Sequence, residues 1–338
     1  MSDLETLEKK LLQPTDKFLR DISAIEGDIL ILGVGGKMGP GMAKLAKQAI
    51  DKTGLRKKIT GVSRFSDKAL QKKLEQEGIE TISADLLDEE SLKKLPEASN
   101  VIYLAGHKFG SSGNEPFTWA MNAYLPGRVA EKYKHSNIVA FSTGNVYPLA
   151  EINSGGLAEE SPPAPIGEYG QSCLGRERIF QYFSQKNQTP VLIYRLNYAI
   201  DFHYGVLLDI AKAVYEKKEI MLHTGLANVI WQGDANEIAI RSLLHCESPA
   251  KILNVTGPET VSIKWLAQQF GAAFGIEPKF VGETQNTAFL SNASEAHKIF
   301  GYPRITLREM IDITAFWIKE GGTVFNKATH FQERQGKY

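Results

Sequence analysis

Apolar and polar positions along this chain keep switching between two periods. Ile29 to Leu32 form an unbroken apolar run, the pattern of a buried strand. After a glycine-rich turn, Met42, Leu45, Ala46, Ala49 and Ile50 recur at three- and four-residue intervals and predict an amphipathic helix. The exchange repeats downstream: strand-like at 58–63, helical at 66–77, strand-like at 79–84 and a short helix at 88–95. An apolar strand at 101–105 follows, then a long helix at 115–134, a strand at 138–142, a helix at 169–185 and a buried strand at 191–196. Strands and helices alternating through short connections predict an α/β fold, a doubly wound parallel sheet with helices on both faces.

The turn between the first strand and helix reads Gly33-Val-Gly-Gly36-Lys37-Met38-Gly39, glycines spaced G-x-x-G-x-x-G. Strand, tight glycine turn and helix N-terminus together suit a dinucleotide pyrophosphate. Glycine lets the backbone approach the phosphates, and the free N–H groups and helix dipole face the negative charge. The expected sheet is therefore Rossmann-like, with a dinucleotide-binding domain over 28–200. Beyond about residue 200 the alternation loosens, and helical patterns at 233–245 and 262–274 mix with short strands. We read 201–338 mainly as a smaller α/β substrate-binding lobe, with segments such as 229–257 returning to the Rossmann core. Residues 1–27 form a polar, amphipathic helical extension broken at Pro14-Thr15, expected on the outside of the sheet. The Pro/Gly/Ser-rich stretch 148–168 is too long for an ordinary connection and is a candidate to cover a site.

Charge narrows the partners. In 338 residues, 39 basic side chains balance 39 acidic ones, which removes the electrostatic argument for nucleic acid or an anionic membrane. The acidic start predicts no signal peptide, and no apolar run is long enough to span a bilayer. Two cysteines, Cys173 and Cys246, make neither a disulfide framework nor a metal cluster, and the histidines lack paired ligand spacing. The expectation is a soluble cytoplasmic protein with no metal and a small-molecule substrate.

Further motifs follow the glycine loop in order: Ala84-Asp85-Leu86, Leu104-Ala105-Gly106, Ser142-Thr143-Gly-Asn-Val-Tyr147 and Glu168-Tyr169-Gly170-Gln-Ser172. Later come Arg195-Leu-Asn197-Tyr198, Gly233-Asp234-Ala235 and Asn254-Val-Thr-Gly257-Pro258-Glu259. With this set the chain resembles the extended short-chain dehydrogenase/reductase family, the NAD(P)-dependent epimerases and dehydratases, from residue 28 to about 320. The resemblance implies that Gly33, Gly36 and Gly39 cradle the pyrophosphate, with Lys37 and Met38 in the loop. It places Asp85 and Leu86 beside adenine, and Ala105 and Gly106 beside the cofactor's ribose and phosphates. Leu104, Ser142 and Asn197 complete that set. Lys108 matches a lysine that reaches the cofactor in the UDP-galactose epimerase branch. Thr143 and Tyr169 fall at the catalytic hydroxyl positions, Tyr169 as the general acid/base for hydride transfer. A homodimer through the helices beginning near Glu115 and Tyr169 is implied as well.

Two positions depart from the usual pattern. Ser63-Arg64 ends the second strand, where an acidic residue ordinarily binds the ribose 2′-hydroxyl. An arginine there can clamp a 2′-phosphate with forked hydrogen bonds, which favours NADP over NAD. The family's Tyr-x-x-x-Lys reads Tyr169-Gly-Gln-Ser-Cys173 here. A neutral thiol supplies no positive field, and an unassisted phenol titrates near ~10. Three explanations stay open: another cation such as Lys108 or Arg176 takes over, the chemistry needs only a neutral tyrosine, or the protein binds nucleotide as a silent sensor or scaffold.

The resemblance bears on substrate too. The epimerase branch carries a diphosphate-binding arginine seven residues before the aspartate matching Asp234, a position held here by Ala227. A diphosphate without cationic partners is poorly held in a desolvated cleft. The expected substrate is a smaller hydroxylated carbonyl compound: a sugar, sugar acid or polyol. His107, Asn145, Tyr147, Asn197, Tyr198, Trp231 and Gln232 lie near predicted strand ends and are the candidate contacts, with His203 and Tyr204 close by in sequence.

Overall fold

A computed structural model describes residues 3–108, 110–325 and 329–338. Seven parallel strands make the central sheet: β1 (Ile29–Leu32), β2 (Ile59–Ser63), β3 (Glu80–Ser83), β4 (Asn100–Tyr103), β5 (Asn137–Thr143), β6 (Val191–Leu196) and β7 (Lys251–Val255). Across the sheet they run β7-β6-β5-β4-β1-β2-β3. The winding reverses between β1 and β4, and open α/β sheets bind ligands in the crevice at such a point. Leu32 stands opposite both Val62 and Tyr103, so the turns that follow β1, β2 and β4 emerge side by side.

Helices cover both faces. Gly39–Thr53 and Gln232–Arg241 pack together on one side, while the helices Leu125–Lys132 and Gly167–Asn187 pack on the other. The long helix expected over 115–134 spans 115–132 and is interrupted by a π turn at Ala120–Tyr124. Such turns insert an extra residue and are frequent at functional sites. Here the turn contains the buried Asn122, whose side chain bonds across to the loop after β4.

The second lobe has its own core, built on Phe202, Val206, Ile210, Phe270 and Trp317. Four two-stranded pairs tie it together and join it to the sheet region. One of them pairs Ile230–Trp231 with Ala199–Ile200. The N-terminal extension does more than lie outside the sheet. Leu7 and Leu11 enter the second core, whereas Phe18 and Ile22 are fully buried in the core beneath the sheet. Thr15 caps the second of its helices by accepting from Phe18 N–H at 3.1 Å. Apolar residues on both helices drive this, so the extension clamps one lobe to the other.

The stretch 148–168 folds against the second lobe: Ala150–Glu151 pairs antiparallel with Thr287–Ala288, and Leu157 N–H donates to Leu290 O.

Candidate functional site

Gly33 adopts φ +92°, and a Cβ there would lie 2.7 Å from Ala105 N, so only glycine turns β1 this tightly against the end of β4. Gly36 differs. A Cβ on it would meet nothing closer than Gly33 O at 3.4 Å, so its protein neighbours do not demand glycine. The space it leaves open suits phosphate oxygens brought against the backbone. The helix Gly39–Thr53 begins with Pro40 in its first turn and no side-chain cap, which leaves N–H groups and the positive dipole end facing that loop.

A cavity of about 380 Å³ extends from the loop over the ends of β2, β3 and β4. Gly33, Gly36, Ser63 and Arg64 line one side; Asp85, Leu86, Leu104, Ala105 and Gly106 line the other. Asp85 caps its own turn by accepting from Leu87 N–H at 3.0 Å, and Arg64 is exposed. Cavity, glycine cradle and uncapped helix together fit an adenosine and a pyrophosphate.

A second cavity of about 210 Å³ starts at Lys37 and Met38 on the far side of the loop. Ser142, Thr143, Asn145, Tyr169 and Lys108 bound it from the sheet domain; Asn197, Tyr198 and Gln232 bound it from the second lobe. Thr143 ends β5, and Tyr169 lies in the first turn of the helix Gly167–Asn187. Both side chains line this cavity, and the Thr143 hydroxyl acts on the Tyr169 phenol in favour of its charged form. Thr143 Oγ1 is fixed in turn, donating to Asn145 Oδ1 at 3.0 Å and accepting from Asn145 N–H at 3.2 Å.

Burial pushes the Tyr169 phenol well above its ordinary pKa, and the Cys173 thiol adds to the rise; Arg176 and the Thr143 hydroxyl oppose it. Cys173 is fully buried one turn after Tyr169 and packs with it in one small cluster. Arg176 follows on the same helix face, and helical side chains lean back toward the N-terminus. Its guanidinium donates to Phe141 O at 2.8 Å, to Asn122 Oδ1 at 2.7 Å and to Asn122 O at 3.4 Å. A Cβ on Gly106 would sit 2.5 Å from Arg176 Nη2, so glycine at this position leaves room for the guanidinium. Lys108 Nζ lies 5.3 Å from the Tyr169 ring centroid, and burial pushes its pKa down to about 8. Two cations, Lys108 and Arg176, therefore act near the tyrosine although Cys173 carries no charge of that sign.

The remaining sequence candidates divide. Asn197 lines the second cavity and donates to Phe289 O at 3.2 Å. Tyr198 lines it with φ +41°. Gln232 lines it while donating to Asp201 Oδ2 at 3.0 Å. Trp231 lines a neighbouring space of about 590 Å³ between the glycine loop, the N-terminal helix and the second lobe. Lys37 crosses toward that lobe, its Nζ 3.1 Å from the Tyr204 ring centroid. Tyr147 does not reach the cavity. It is 1% exposed, and its hydroxyl is held by Ala158 O, Asn254 Oδ1 and Arg195 Nη1 at 2.8, 3.0 and 2.6 Å. His107 is turned to Asn122 through its backbone and to Phe117 through its ring, and does not line the cavity. Sequence reasoning missed Asn122, which carries no motif, and Tyr338, which reaches Asn145 from the far end of the chain.

Among the described residues no helix is long and apolar enough to cross a membrane, and no group of three or more His, Cys, Asp or Glu side chains could hold a metal ion.

The model of the NAD dependent epimerase/dehydratase family matches residues 29–253. No curated protein matches the chain in sequence. Among solved structures, dTDP-glucose 4,6-dehydratase from Bacillus anthracis, in complex with NAD, superposes with a TM-score of 0.72 at 18% identity, over 87% of this chain and 97% of that one. The UDP-Glc/GlcNAc 4-epimerase of Campylobacter jejuni gives 0.71 at 20% identity, over 88% and 99%. Pal from Bacillus thuringiensis gives 0.71 at 16% identity, over 86% and 99%. At these identities the likeness is one of fold.

Proposed function

The chain belongs to the NAD-dependent epimerase/dehydratase family, and within it we propose an NAD(P)-dependent oxidoreductase or epimerase-like enzyme acting on a small hydroxylated carbonyl compound. The observation that carries this reading is the Thr143–Tyr169 hydroxyl pair, set in a cavity that opens beside the glycine loop. When bound, the nicotinamide supplies or accepts the hydride. Tyr169 is the acid/base. Burial keeps its phenol protonated at neutral pH, which is the state needed to donate a proton to a carbonyl oxygen as that oxygen gains charge. Thr143 holds the same oxygen once its hydroxyl proton turns to it from Asn145 Oδ1, and Arg176 and Lys108 stabilise the negative charge left on the phenol. Reduction is accordingly the favoured direction.

Several features support a small substrate. Ala227 is fully buried, and the following Asn228 is committed to Glu259 O at 3.1 Å and to Ser291 N–H at 2.9 Å. The stretch thus offers no cation to a diphosphate, although structural neighbours include proteins in complex with UDP-glucose and UDP-glucuronic acid. Lys37 and Lys108 in the cavity lining suit a carboxylate, which favours a sugar acid within the class. Arg64 beside the adenosine cavity supports NADP over NAD. Trp119, Tyr124 and Tyr182 are exposed on the two helices expected to meet in a homodimer.

The buried Cys173 favours a second reading, a nucleotide-binding sensor or scaffold without turnover. Screening small carbonyl compounds with NADPH and NADH, with Tyr169→Phe as control, separates the two. Turnover lost in that variant while nucleotide binding stays supports the enzyme; binding with no turnover of any compound supports the sensor.

A further inference from the structure

Residues 329–338 return from the second lobe to the reaction centre and are fastened along their length. Thr329 donates its N–H and hydroxyl to Asp209 Oδ2 at 2.9 and 2.6 Å. Phe331 is buried in the second core. Arg334 donates to Thr287 O at 2.6 Å. Gly336 lies so close to the start of the long helix that a Cβ there would fall 2.3 Å from Ile166 O. Tyr338 is held by its backbone, whose O accepts from Ser111 Oγ at 3.2 Å and from Ser112 N–H at 3.3 Å.

The Tyr338 side chain then enters the site. Its hydroxyl accepts from Asn145 Nδ2 at 2.6 Å. Its ring meets Tyr169 edge to face, with centroids 5.5 Å apart and planes at 74°. Lys108 Nζ lies 4.4 Å from its centroid. The ring thus stands behind three groups that line the reaction cavity, Asn145, Tyr169 and Lys108. The cavity that remains, about 210 Å³, is smaller than the roughly 300–1,000 Å³ of pockets for drug-sized ligands.

We propose that Tyr338 is a specificity-determining residue, carried by a strap over 329–338 that closes the reaction centre to all but small substrates. This rests on the reading of Thr143 and Tyr169 as that centre. The strap replaces recognition of a large, charged leaving portion with exclusion of bulk, and it takes up the Asn145 amide that would otherwise be open to a longer ligand.

The test reads size exclusion with reagents in place of the natural substrate. Full-length protein loaded with NAD⁺ or NADP⁺ is treated with dimethylamine-borane and, separately, with the bulkier triethylamine-borane, both of which can deliver hydride to bound nicotinamide. The same is done with a chain ended after Gln332, which keeps the Thr329 and Phe331 anchors, and with Tyr338→Ala. The full chain should disfavour the larger reagent by about ten-fold or more relative to both variants, the scale on which a tight pocket rejects added bulk. Tyr338→Phe keeps the ring but loses the Asn145 bond, and should fall between. Equal selectivity in full and shortened chains, with nucleotide retained, overturns the strap alone. A full chain that holds neither nucleotide overturns the reading of the site, and the proposal with it. Without nucleotide, amide hydrogen exchange at 144–146 and 166–170 should quicken in the shortened chain; unchanged exchange would also overturn the strap as a cover.

Discussion

Arg195 donates two hydrogen bonds to Glu177, from Nε to Oε1 at 2.9 Å and from Nη2 to Oε2 at 2.7 Å, and each side chain is 1% exposed. Glu177 Oε1 also accepts from Ser142 Oγ at 2.5 Å. The buried carboxylate is thus fully engaged by Arg195 and Ser142. Arg176, the preceding residue of the helix, turns its guanidinium to Asn122 and Phe141 instead, and its charge favours the ionised forms of Tyr169 and Cys173. Glu177→Gln strands a buried guanidinium and should destabilise the fold by about 3–5 kcal/mol, whereas replacing both Arg195 and Glu177 with leucine should recover much of that loss. Denaturant unfolding of the single and double variants measures it; a Glu177→Gln protein as stable as the parent would show that the pair is not the support described.

Tyr169→Phe should lower reductive turnover of a small carbonyl compound by about 10²–10⁴ while nucleotide affinity holds, because only the proton donor is removed. Thr143→Val should lower turnover in the same direction. Steady-state rates set beside nucleotide titrations separate these effects. Unchanged rates in Tyr169→Phe would remove Tyr169 as acid/base.

The Cys173–Arg176 arrangement has a pH signature. Burial holds the Tyr169 phenol above its usual range, and Arg176 pulls it back. Removing that cation in Arg176→Leu raises the phenol further, so alcohol oxidation, which needs the phenolate, should move to higher pH. Cys173→Lys adds a positive charge beside the phenol and should move the profile to lower pH, raising oxidative rates at neutral pH by ~10–100-fold. An unmoved profile in Cys173→Lys would mean that the phenol does not govern that limb.

Lys108 sets a second limb. Burial lowers its pKa to about 8. Its ammonium is therefore present below that value and lost as pH rises through it. Binding of an anionic substrate such as a sugar acid should weaken above about pH 8 in the parent. Lys108→Arg should remove that limb, since arginine stays charged. Affinity for a carboxylate compound measured on both sides of pH 8 tests this; a pH-independent affinity in the parent would count against it.

Much of the fold could be read in the sequence because burial on both faces makes the central strands apolar runs, as in β1 and in Val101–Tyr103 of β4. The glycine loop and the Thr143–Tyr169 pair were legible for a related reason, since both sit at strand ends fixed by local motifs. Side-chain direction was not. Tyr147 and His107 stand near strand ends, but the Tyr147 hydroxyl turns into buried hydrogen bonds and the His107 ring packs against Phe117, both away from the cavity. Asn122 was hidden because helical periodicity says nothing of a π turn, and Tyr338 because its contact with Asn145 spans most of the chain.

The central claim, that a nicotinamide dinucleotide lies on the glycine loop and reaches Thr143 and Tyr169, is tested most directly by nucleotide binding. Freshly purified protein is denatured, any released nucleotide is identified by chromatography and mass, and emptied protein is titrated with NADPH and NADH. One dinucleotide per chain is expected, with NADPH bound more tightly and the preference lost in Arg64→Ala. A protein that releases no nucleotide and binds neither cofactor would contradict the account.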